Sequence, residues 1–363
     1  MKKGWEYKKL GEVCDLYQPK TISTKEMVSD GLYDVFGANG KIGKYHSYNH
    51  VDSEILMTCR GATCGNINIS TPKSWINGNA MVIHIKDEGK LYRQFLVYSL
   101  IHIDKAHIIT GAAQPQITRQ TLSPLEICFP SLSEQQSIVD YLDSAFAKID
   151  AMKANAEKAL NEAKALFQAS LKEMLEPKEG WEEKTLKEIC KVINGRAYSK
   201  DEMLKQGKYR LLRVGNFFTN DSWFYSDLEL EEDKYCDNGD LLYAWSASFG
   251  PRIWDGEKVI YHYHIWKMVC SAEIDKYFMC YWLDSDELKK QTMTNVHGAT
   301  MAHITKGIIE AANVSFPSLS EQQSIVGTLD SLKSKVDRLQ ANYDKISQEC
   351  DALKQAILRQ VFE

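Results

Sequence analysis

The sequence lacks the features of secreted and membrane proteins. Its nine cysteines are an odd number at irregular spacing, with no Cys-x-x-Cys pair. This pattern argues against a disulfide framework and favours a reducing cytosol. The longest apolar run, near residues 95–103, is interrupted by Tyr98, Ser99 and His102. It is far shorter than the ~20 residues that span a bilayer. We therefore expect a cytoplasmic protein.

Several catalytic motifs are also missing. The chain has no Gly-x-x-x-x-Gly-Lys-Ser/Thr phosphate loop, no Gly-x-Gly-x-x-Gly after a predicted strand and no Asn-Pro-Pro-aromatic methyltransferase motif. His262 and His264 alternate on a predicted strand, with His297 and His303 downstream, and we interpret them as structural or contacting residues rather than metal ligands. The sequence therefore predicts no catalytic residue, no metal and no cofactor bound by this chain.

Positive charge is scarce for a nucleic-acid-binding protein. The formal net charge is −5, from 44 Lys and Arg against 49 Asp and Glu. A histone-like cation is thereby excluded. Any DNA-binding surface must be local, or a partner protein must complete it.

What the chain does contain is two blocks that occur twice. Gly4–Cys14 matches Gly180–Cys190 at 7 of 11 positions, and Phe129–Val139 recurs letter for letter at Phe316–Val326. Extending the second match gives 26 identities over 48 positions. Little aligns between the blocks. The chain therefore alternates a variable module with a shared segment, twice.

Each shared segment is predicted to form one long helix. Ser133 or Ser320 is the expected N-cap, and Gln136 or Gln323 completes a capping box. Apolar residues then recur at alternating steps of four and three, the heptad pattern of a coiled coil. The predicted core positions are Ile138, Leu142, Ile149, Met152 and Leu166 in the first copy, and Ile325, Leu329, Leu332, Val336, Leu339, Ile346, Leu353 and Ile357 in the second.

The connectivity predicts how the two helices run. The first helix must deliver the chain to the second module, and the second helix ends where the repeat would place another first module. Helices that pair under this circular arrangement must be antiparallel. The stretch from Ile325 to Ile357 would be ~48 Å long at ~1.5 Å per residue, or ~14 base pairs of DNA at ~3.4 Å per pair.

Each variable module is predicted to mix short strands with a helix. The predicted strands are 33–36, 54–58, 66–69 and 80–85 in the first module and 210–214, 240–245 and 259–266 in the second, with helices at 90–103 and 274–290. The fold class is thus α+β: two mixed α/β domains joined by two long antiparallel coiled-coil helices in a pseudo-twofold circular arrangement. The predicted boundaries are 1–131, 132–177, 178–318 and 319–363.

With these motifs the chain resembles the specificity subunits of type I restriction-modification systems over its whole length. The resemblance rests on the doubled Phe-Pro-Ser-Leu-Ser-Glu-Gln-Gln block, on Gly-Trp-Glu near each module start, and on a glycine motif before each helix. That motif is 111–117 in the first module, where Gln114 fits the family pattern and Gln116 departs from it. In the second module it is 298–304, where His303 fits and Met301 departs.

The resemblance implies a function in DNA recognition. The variable modules would be target-recognition domains, and the helices would be a spacer that docks methyltransferase subunits. The chain itself would be non-catalytic and would recognise a bipartite, asymmetric site in double-stranded DNA. It would serve within a type I site-specific deoxyribonuclease and adenine-N6 methyltransferase complex, with two methyltransferase subunits and restriction subunits as partners. S-adenosylmethionine, ATP and Mg would be used by those partners.

Candidate DNA contacts follow from the side chains that read bases and phosphates. Base edges are read by Arg, Lys, Asn or Gln on loops, and phosphates are held by Lys and Arg. We expect Arg60 and Arg252 to be the best candidates because each flanks a glycine-containing turn. The full set is Lys41, Lys44, Tyr45, Arg60 and Arg119 in the first module, and Arg213, Asn216, Trp245, Arg252, Lys258 and Lys306 in the second.

Three alternatives stay open on the sequence. The first is a coiled-coil adaptor or scaffold without DNA specificity, which would protect no DNA. The second is the specificity part of another DNA methyltransferase system. An enzyme that modifies or cuts DNA unaided is disfavoured by the missing motifs.

Overall fold

The computed structural model describes residues 4–111, 114–246, 248–293 and 304–363. The chain divides into two compact units. The first unit contains Met1–Ala156 and Asp344–Glu363, and the second contains Glu157–Tyr343. Each unit therefore combines one variable module with a part of both long helices.

In the first unit, strands and short helices alternate before the first long helix. The strands are β1 (Glu6–Lys9), β2 (Cys14–Tyr17), β3 (Tyr33–Gly37), β4 (Gly40–Tyr45), β5 (Ile55–Thr58), β6 (Ile67–Ile69), β7 (Trp75–Ile76), β8 (Ala80–Ile85) and β9 (Glu126–Phe129). The helices are α1 (Leu10–Val13), α2 (Arg93–His102), α3 (Arg119–Leu122) and the long α4 (Leu132–Leu175), which continues into the second unit. The sheets have the orders β2-β8-β5-β6, β4-β3-β7 and β1-β9.

The second unit repeats this plan. Its strands are β10 (Glu182–Thr185), β11 (Cys190–Asn194), β12 (Tyr209–Leu212), β13 (Phe224–Ser226), β14 (Tyr235–Cys236), β15 (Leu241–Ser246), β16 (Ser248–Ile253), β17 (Val259–Tyr261), β18 (Ile265–Cys270) and β19 (Asn313–Phe316). Its helices are α5 (Leu186–Ile189), α6 (Val214–Phe218), α7 (Lys276–Asp284), α8 (Asp286–Met293), α9 (Lys306–Glu310) and the long α10 (Leu319–Phe362). The sheets are β11-β18-β15-β16, β13-β12-β17-β14 and β10-β19. In each unit one pair of strands is parallel, β3 with β7 and β12 with β17.

The two repeated sequence blocks meet in space within each unit. Glu6 lies opposite Phe129 in the β1–β9 pair, and Glu182 lies opposite Phe316 in the β10–β19 pair. In each pair the second strand, β9 or β19, leads directly into a long helix. The concentrated sequence identity therefore specifies the same small sheet, and the same exit into a helix, in both units.

The two long helices pack side by side and antiparallel, as predicted. In the first unit the Lys354 Nζ atom lies 2.5 Å from the Asp150 carboxylate, and Lys153 lies 3.6 Å from Asp351. Rising numbers on α4 thus pair with falling numbers on α10. In the second unit Lys164 donates a hydrogen bond of 2.8 Å to the side chain of Gln340.

Burial along the seam corrects part of the predicted heptad. Leu142, Ile149, Ile325 and Leu329 are buried, and Ile138, Leu332, Val336, Leu339, Ile346 and Ile357 are half-buried. Three predicted core residues are exposed instead: Met152 and Leu166 by 59% each and Leu353 by 48%. Because a straight helix drifts ~20° per heptad, the buried positions move by one residue. Leu160 is buried, and Phe167 is half-buried where the sequence predicted its neighbour Leu166.

The helix starts also differ from the prediction. The helices begin at Leu132 and Leu319, one residue before Ser133 and Ser320, so these serines lie inside the first turn. The Glu321 N–H is instead 3.4 Å from the Ser318 hydroxyl oxygen, which accepts this hydrogen bond.

Three further sequence predictions are wrong in detail. Residues 259–266, predicted as one strand, form β17 and β18 with a turn at 262–264 between them. Residues 274–290 form two helices rather than one. Gly250 and Pro251, predicted as a turn, lie within β16, which proline tolerates because β16 is at the edge of its sheet.

Each unit has a core that includes both long helices. In the first unit Leu142, Leu358 and Phe362 pack with Phe95 of α2. In the second, α4 residues and Leu329 of α10 pack around Phe278. The helices are thus integral to each unit. Over the described residues, the helices lack the combined length and apolar character that crossing a membrane requires.

Candidate nucleic-acid interface

The loops that follow three strands meet at one end of each unit, which we call the loop end. In the first unit these are the turn 37–40 after β3, the loop 59–66 after β5 and the turn 77–80 after β7. The described residues of the segment 110–117 join them: Arg60 and Gln116 form a β-bridge, and the Gly61 N–H donates a 3.0 Å hydrogen bond to the Pro115 carbonyl. These loops therefore form one continuous surface.

Arg60 lies where the loop 59–66 meets the segment 110–117. Its neighbour Cys59 accepts a 2.9 Å backbone hydrogen bond from Ile117, which fixes the backbone on both sides of the arginine. The Arg60 side chain is exposed. Within the described part of the chain it forms no ion pair. An arginine on a fixed backbone with an uncommitted guanidinium is suited to bidentate contact with guanine or phosphate.

Amide side chains lie on the loops next to the one that carries Arg60. Gln114 and Gln116 are exposed on the segment 110–117. Gly111 in that segment has φ +85°, and a Cβ there would lie 2.4 Å from the Gln114 carbonyl oxygen. Only glycine fits this turn. Asn39, exposed on the neighbouring turn, accepts a 2.6 Å hydrogen bond from the Thr63 hydroxyl. Amides of this kind can pair with adenine edges.

The loop end of the second unit carries aromatic and imidazole side chains instead. His262, Tyr263 and His264 form the turn after β17, and Trp245 lies near the end of β15. The Trp245 indole N–H donates a 2.8 Å hydrogen bond to the Tyr263 carbonyl. The exposed Arg213 directly follows β12, and its guanidinium lies 5.2 Å from the centre of the Phe224 ring.

Comparison with known proteins identifies the family. The sequence profile described as the type I restriction modification DNA specificity domain matches residues 2–162 and again residues 178–348. These two matches cover most of the chain. The chain belongs to this family.

Relatives and one solved structure agree with this assignment. The type I restriction enzyme MjaVIII specificity subunit of Methanocaldococcus jannaschii is 22% identical over 317 residues, which cover 79% of this chain and 73% of that protein. The EcoDI specificity subunit of Escherichia coli is 32% identical over 124 residues, 34% of this chain and 27% of that protein. A chain from a structural study of type I restriction-modification assembly and conformational transition has the same fold, with a TM-score of 0.78, 18% identity and coverage of 100% and 98%.

The other predicted contacts of the first specificity domain are more scattered. Lys41 lies next to the turn 37–40 but forms a 2.7 Å ion pair with Asp34. Lys44 and Tyr45 lie at the far end of β4, where the Tyr45 ring packs edge-on against Trp75. The exposed Arg119 begins α3, just after the segment 110–117. Of these, Lys41 and Arg119 are the two that adjoin loops of the loop end.

In the second specificity domain several predicted contacts are occupied within the chain. Arg252 donates 2.8 Å hydrogen bonds to the Phe217 carbonyl and to Asp255. The Asn216 side chain donates to two backbone carbonyls of the loop that follows it. Both DNA contacts stay predictions, and each would require the side chain to exchange an internal partner. Arg213, by contrast, forms no ion pair with the described residues.

The two lysines that were predicted as DNA contacts in that domain are also ion-paired. Lys258 lies 2.7 Å from Glu232, and Lys306, at the start of α9, lies 3.5 Å from Glu310. Surface pairs of this kind contribute little stability, so DNA phosphates can replace the carboxylates at small cost.

The electrostatics of the second loop end favour a neutral imidazole. Burial, with the adjacent His264 and Arg213 adding to it, lowers the pKa of His262 to about 4. His262 is therefore neutral at physiological pH. Among the described residues no group of three His, Cys, Asp or Glu is arranged to hold a metal ion. His297, and positions 298–303 of the second glycine motif, lie outside the described residues.

Sequence reasoning missed two kinds of residue. Gln135 and Gln322 of the repeated block are fully buried, and each bonds to three backbone groups. The doubled Gln-Gln marked them as a pair but could not show which glutamine is buried. Tyr263 was not predicted as a DNA contact because the turn that contains it was predicted to be part of a strand.

Proposed function

We propose that this chain is the DNA sequence-specificity subunit of a type I restriction-modification complex. It recognises a bipartite, asymmetric site in double-stranded DNA and recruits two methyltransferase subunits and the restriction subunits. The proposal depends on one observation. The chain holds two DNA specificity domains, at residues 2–162 and 178–348, and their matching loop ends bear different side chains.

Different side chains on the same scaffold support an asymmetric target. At the first loop end, Arg60 and the amides of the adjacent loops are suited to form hydrogen bonds with base edges. The second loop end offers Arg213 and aromatic rings instead. Two unlike readers in one polypeptide cannot recognise a palindrome with equal contacts. The paired helices give each reader a rigid attachment, since both helices belong to each unit's core.

The chemistry of modification and cleavage belongs to the partners in this proposal. The chain positions DNA, and its partners use S-adenosylmethionine for methylation of adenine and ATP with Mg for restriction. The net charge of −5 is compatible with this division because the partners can supply further positive charge around DNA. We expect the complex to act in the cytoplasm.

The proposal is tested by mapping methylated adenines in cells that carry this chain and its methyltransferase partner. We expect one two-part motif with an unread gap. Replacing residues 1–128 with those of another family member should change one half of the motif and leave the other intact. A chain that supports no sequence-specific methylation and protects no DNA would instead be an adaptor, and methyl transfer by the purified chain alone would make it an enzyme.

A second test compares the two arginines that the sequence favoured. Arg60→Ala should cost about 1–3 kcal/mol of binding free energy at the cognate site if Arg60 reads a base. Contact with a phosphate alone would instead weaken all sequences about equally and lower the salt slope by about 1. Arg252→Ala should have a smaller effect because its guanidinium already binds Phe217 and Asp255. Equal losses on both substitutions, measured by DNA titration of the complex, would contradict this ranking.

A further inference from the structure

The turn after the parallel strand pair has the same backbone in both units. In the first unit the Asn77 N–H donates to the Phe36 carbonyl at 2.9 Å, and in the second the His262 N–H donates to the Leu212 carbonyl at 2.9 Å. The turns close alike, with Ala80 N–H to Asn77 at 3.0 Å and Ile265 N–H to His262 at 2.9 Å. Residues 77–80 and 262–265 are therefore equivalent positions.

A third hydrogen bond ties both turns to the neighbouring sheet in the same way. The Cys59 N–H donates to the Asn79 carbonyl at 3.2 Å, and the Trp245 N–H donates to the His264 carbonyl at 3.1 Å. Position 59 thus corresponds to 245, and the apex of the turn is position 78 in one unit and 263 in the other. The loop ends can be compared residue by residue.

In the first unit the apex cannot carry a side chain. A Cβ on Gly78 would lie 2.4 Å from the Pro19 carbonyl oxygen. The segment before it covers the turn: the Gln18 side chain donates a 2.7 Å hydrogen bond to the Gly78 carbonyl, and Thr21 accepts from the Gly78 N–H at 3.1 Å. Asn77 is buried and is bonded to Ile22. This apex therefore has no side chain that could contact DNA.

In the second unit the same apex presents Tyr263, which is 39% exposed. Its ring centre lies 4.5 Å from that of His262 and 4.0 Å from that of His264. Its carbonyl holds the Trp245 indole N–H at 2.8 Å. The Trp245 ring in turn stacks on Trp266, which is buried in the core, with centres 5.5 Å apart. An exposed tyrosine on such a rigid aromatic support loses little conformational entropy on binding.

We propose that Tyr263 is a specificity-determining residue of the second domain, which contacts base pairs of the second half-site with its ring and hydroxyl group. The inference rests on the proposed function. An aromatic ring makes apolar contact with a thymine methyl, and a hydroxyl can donate to or accept from a base edge. Arg213, at the end of the adjacent strand, is placed to bind the flanking phosphate. The two domains thus read DNA with different loops of the same loop end.

The test uses the full chain assembled with its methyltransferase partner. Methylation is measured on duplex libraries in which either half of the wild-type motif is randomised. Tyr263→Ala should reduce discrimination at one or two positions of the second half by about ten- to hundredfold, with the first half unchanged. Tyr263→Phe separates the two contacts: a thymine-methyl contact survives it, whereas a hydrogen bond is lost. Tyr277→Ala, at a tyrosine of similar exposure on α7, is the matched control and should change neither half.

The outcomes separate this inference from the proposed function. If the wild-type complex shows no two-part motif, the proposed function fails first. If the motif is present and Tyr263→Ala leaves second-half discrimination within twofold of wild type, Tyr263 does not determine specificity. If Tyr263→Ala instead reduces discrimination in the first half of the motif, Tyr263 acts on the other half-site and the inference is also overturned. Thermal melting of the Phe variant, which keeps the ring packing, shows that loss of discrimination is not loss of fold.

Discussion

The buried glutamine of the repeated block offers the sharpest test of the fold. Gln135 has no exposed surface. Its side-chain oxygen accepts from the Tyr92 N–H at 2.8 Å, and its side-chain nitrogen donates to the carbonyls of Lys90 and Pro130 at 2.8 and 2.9 Å. The amide therefore joins the start of α4 to the segment that leads into α2. Gln135→Leu keeps the approximate volume and removes all three bonds.

The magnitude follows from the three backbone groups that lose a partner. A typical intramolecular hydrogen bond contributes about 1 kcal/mol net, and a buried group left unpaired costs about 1–3 kcal/mol. We therefore expect Gln135→Leu to lower the free energy of unfolding of the first unit by at least about 3 kcal/mol. Gln322 makes the same three bonds in the second unit, to Asp275, Glu273 and Pro317. Gln322→Leu should therefore destabilise that unit by a similar amount.

Urea unfolding followed by tryptophan fluorescence measures the effect, because Trp5 packs on Phe95 in the core of the first unit. The matched control is Gln136→Leu, at the exposed glutamine next in sequence. The control should change stability by less than about 0.5 kcal/mol. If the Gln135 and Gln136 variants unfold at the same urea concentration, the amide does not hold the helix to the module and this reasoning is refuted.

Two more predictions concern the helices and the cysteines. Leu142→Ala should cost about 2–5 kcal/mol of stability because the Leu142 side chain is fully buried. Met152→Ala, at an exposed heptad position, should cost less than about 0.5 kcal/mol. Equal losses in urea unfolding would show that Met152 is a core residue, as the sequence predicted. Cys190 and Cys270 lie directly opposite each other on β11 and β18, at a Cα separation of about 4.5–5.5 Å that a disulfide can span. Oxidation with diamide should join their sulfurs in a disulfide, with two hydrogens passing to the reagent. Cys14 should stay a thiol because its strand partner is not a cysteine. A free Cys270 thiol after oxidation, found by peptide mass spectrometry, would contradict this prediction.

Some features followed from the sequence because they depend on repetition and local pattern. The doubled blocks predicted two equivalent modules, and the heptad spacing predicted two long helices. Circular connectivity then required these helices to be antiparallel, and the Asp150–Lys354 and Lys153–Asp351 contacts together confirm it. The family resemblance was also available from the sequence, since it rests on the same blocks.

Other features could be decided only by tertiary packing. The heptad phase near Met152 depends on how the partner helix is placed, because the apolar letters alone fit two adjacent registers. The choice between Gln135 and Gln136 depends on which side of the first helical turn faces the module. Arg252 matched Arg60 as a sequence signal, yet its guanidinium is bound within the chain.

The sequence by itself determined the repeated plan, the two helices and the kind of protein, since each of these is encoded in contiguous residues. The tertiary structure alone decided what each loop end offers to DNA. Turns 77–80 and 262–265 share a backbone but not a sequence pattern. Their equivalence comes from hydrogen bonds between strands far apart in the chain, which no local pattern records.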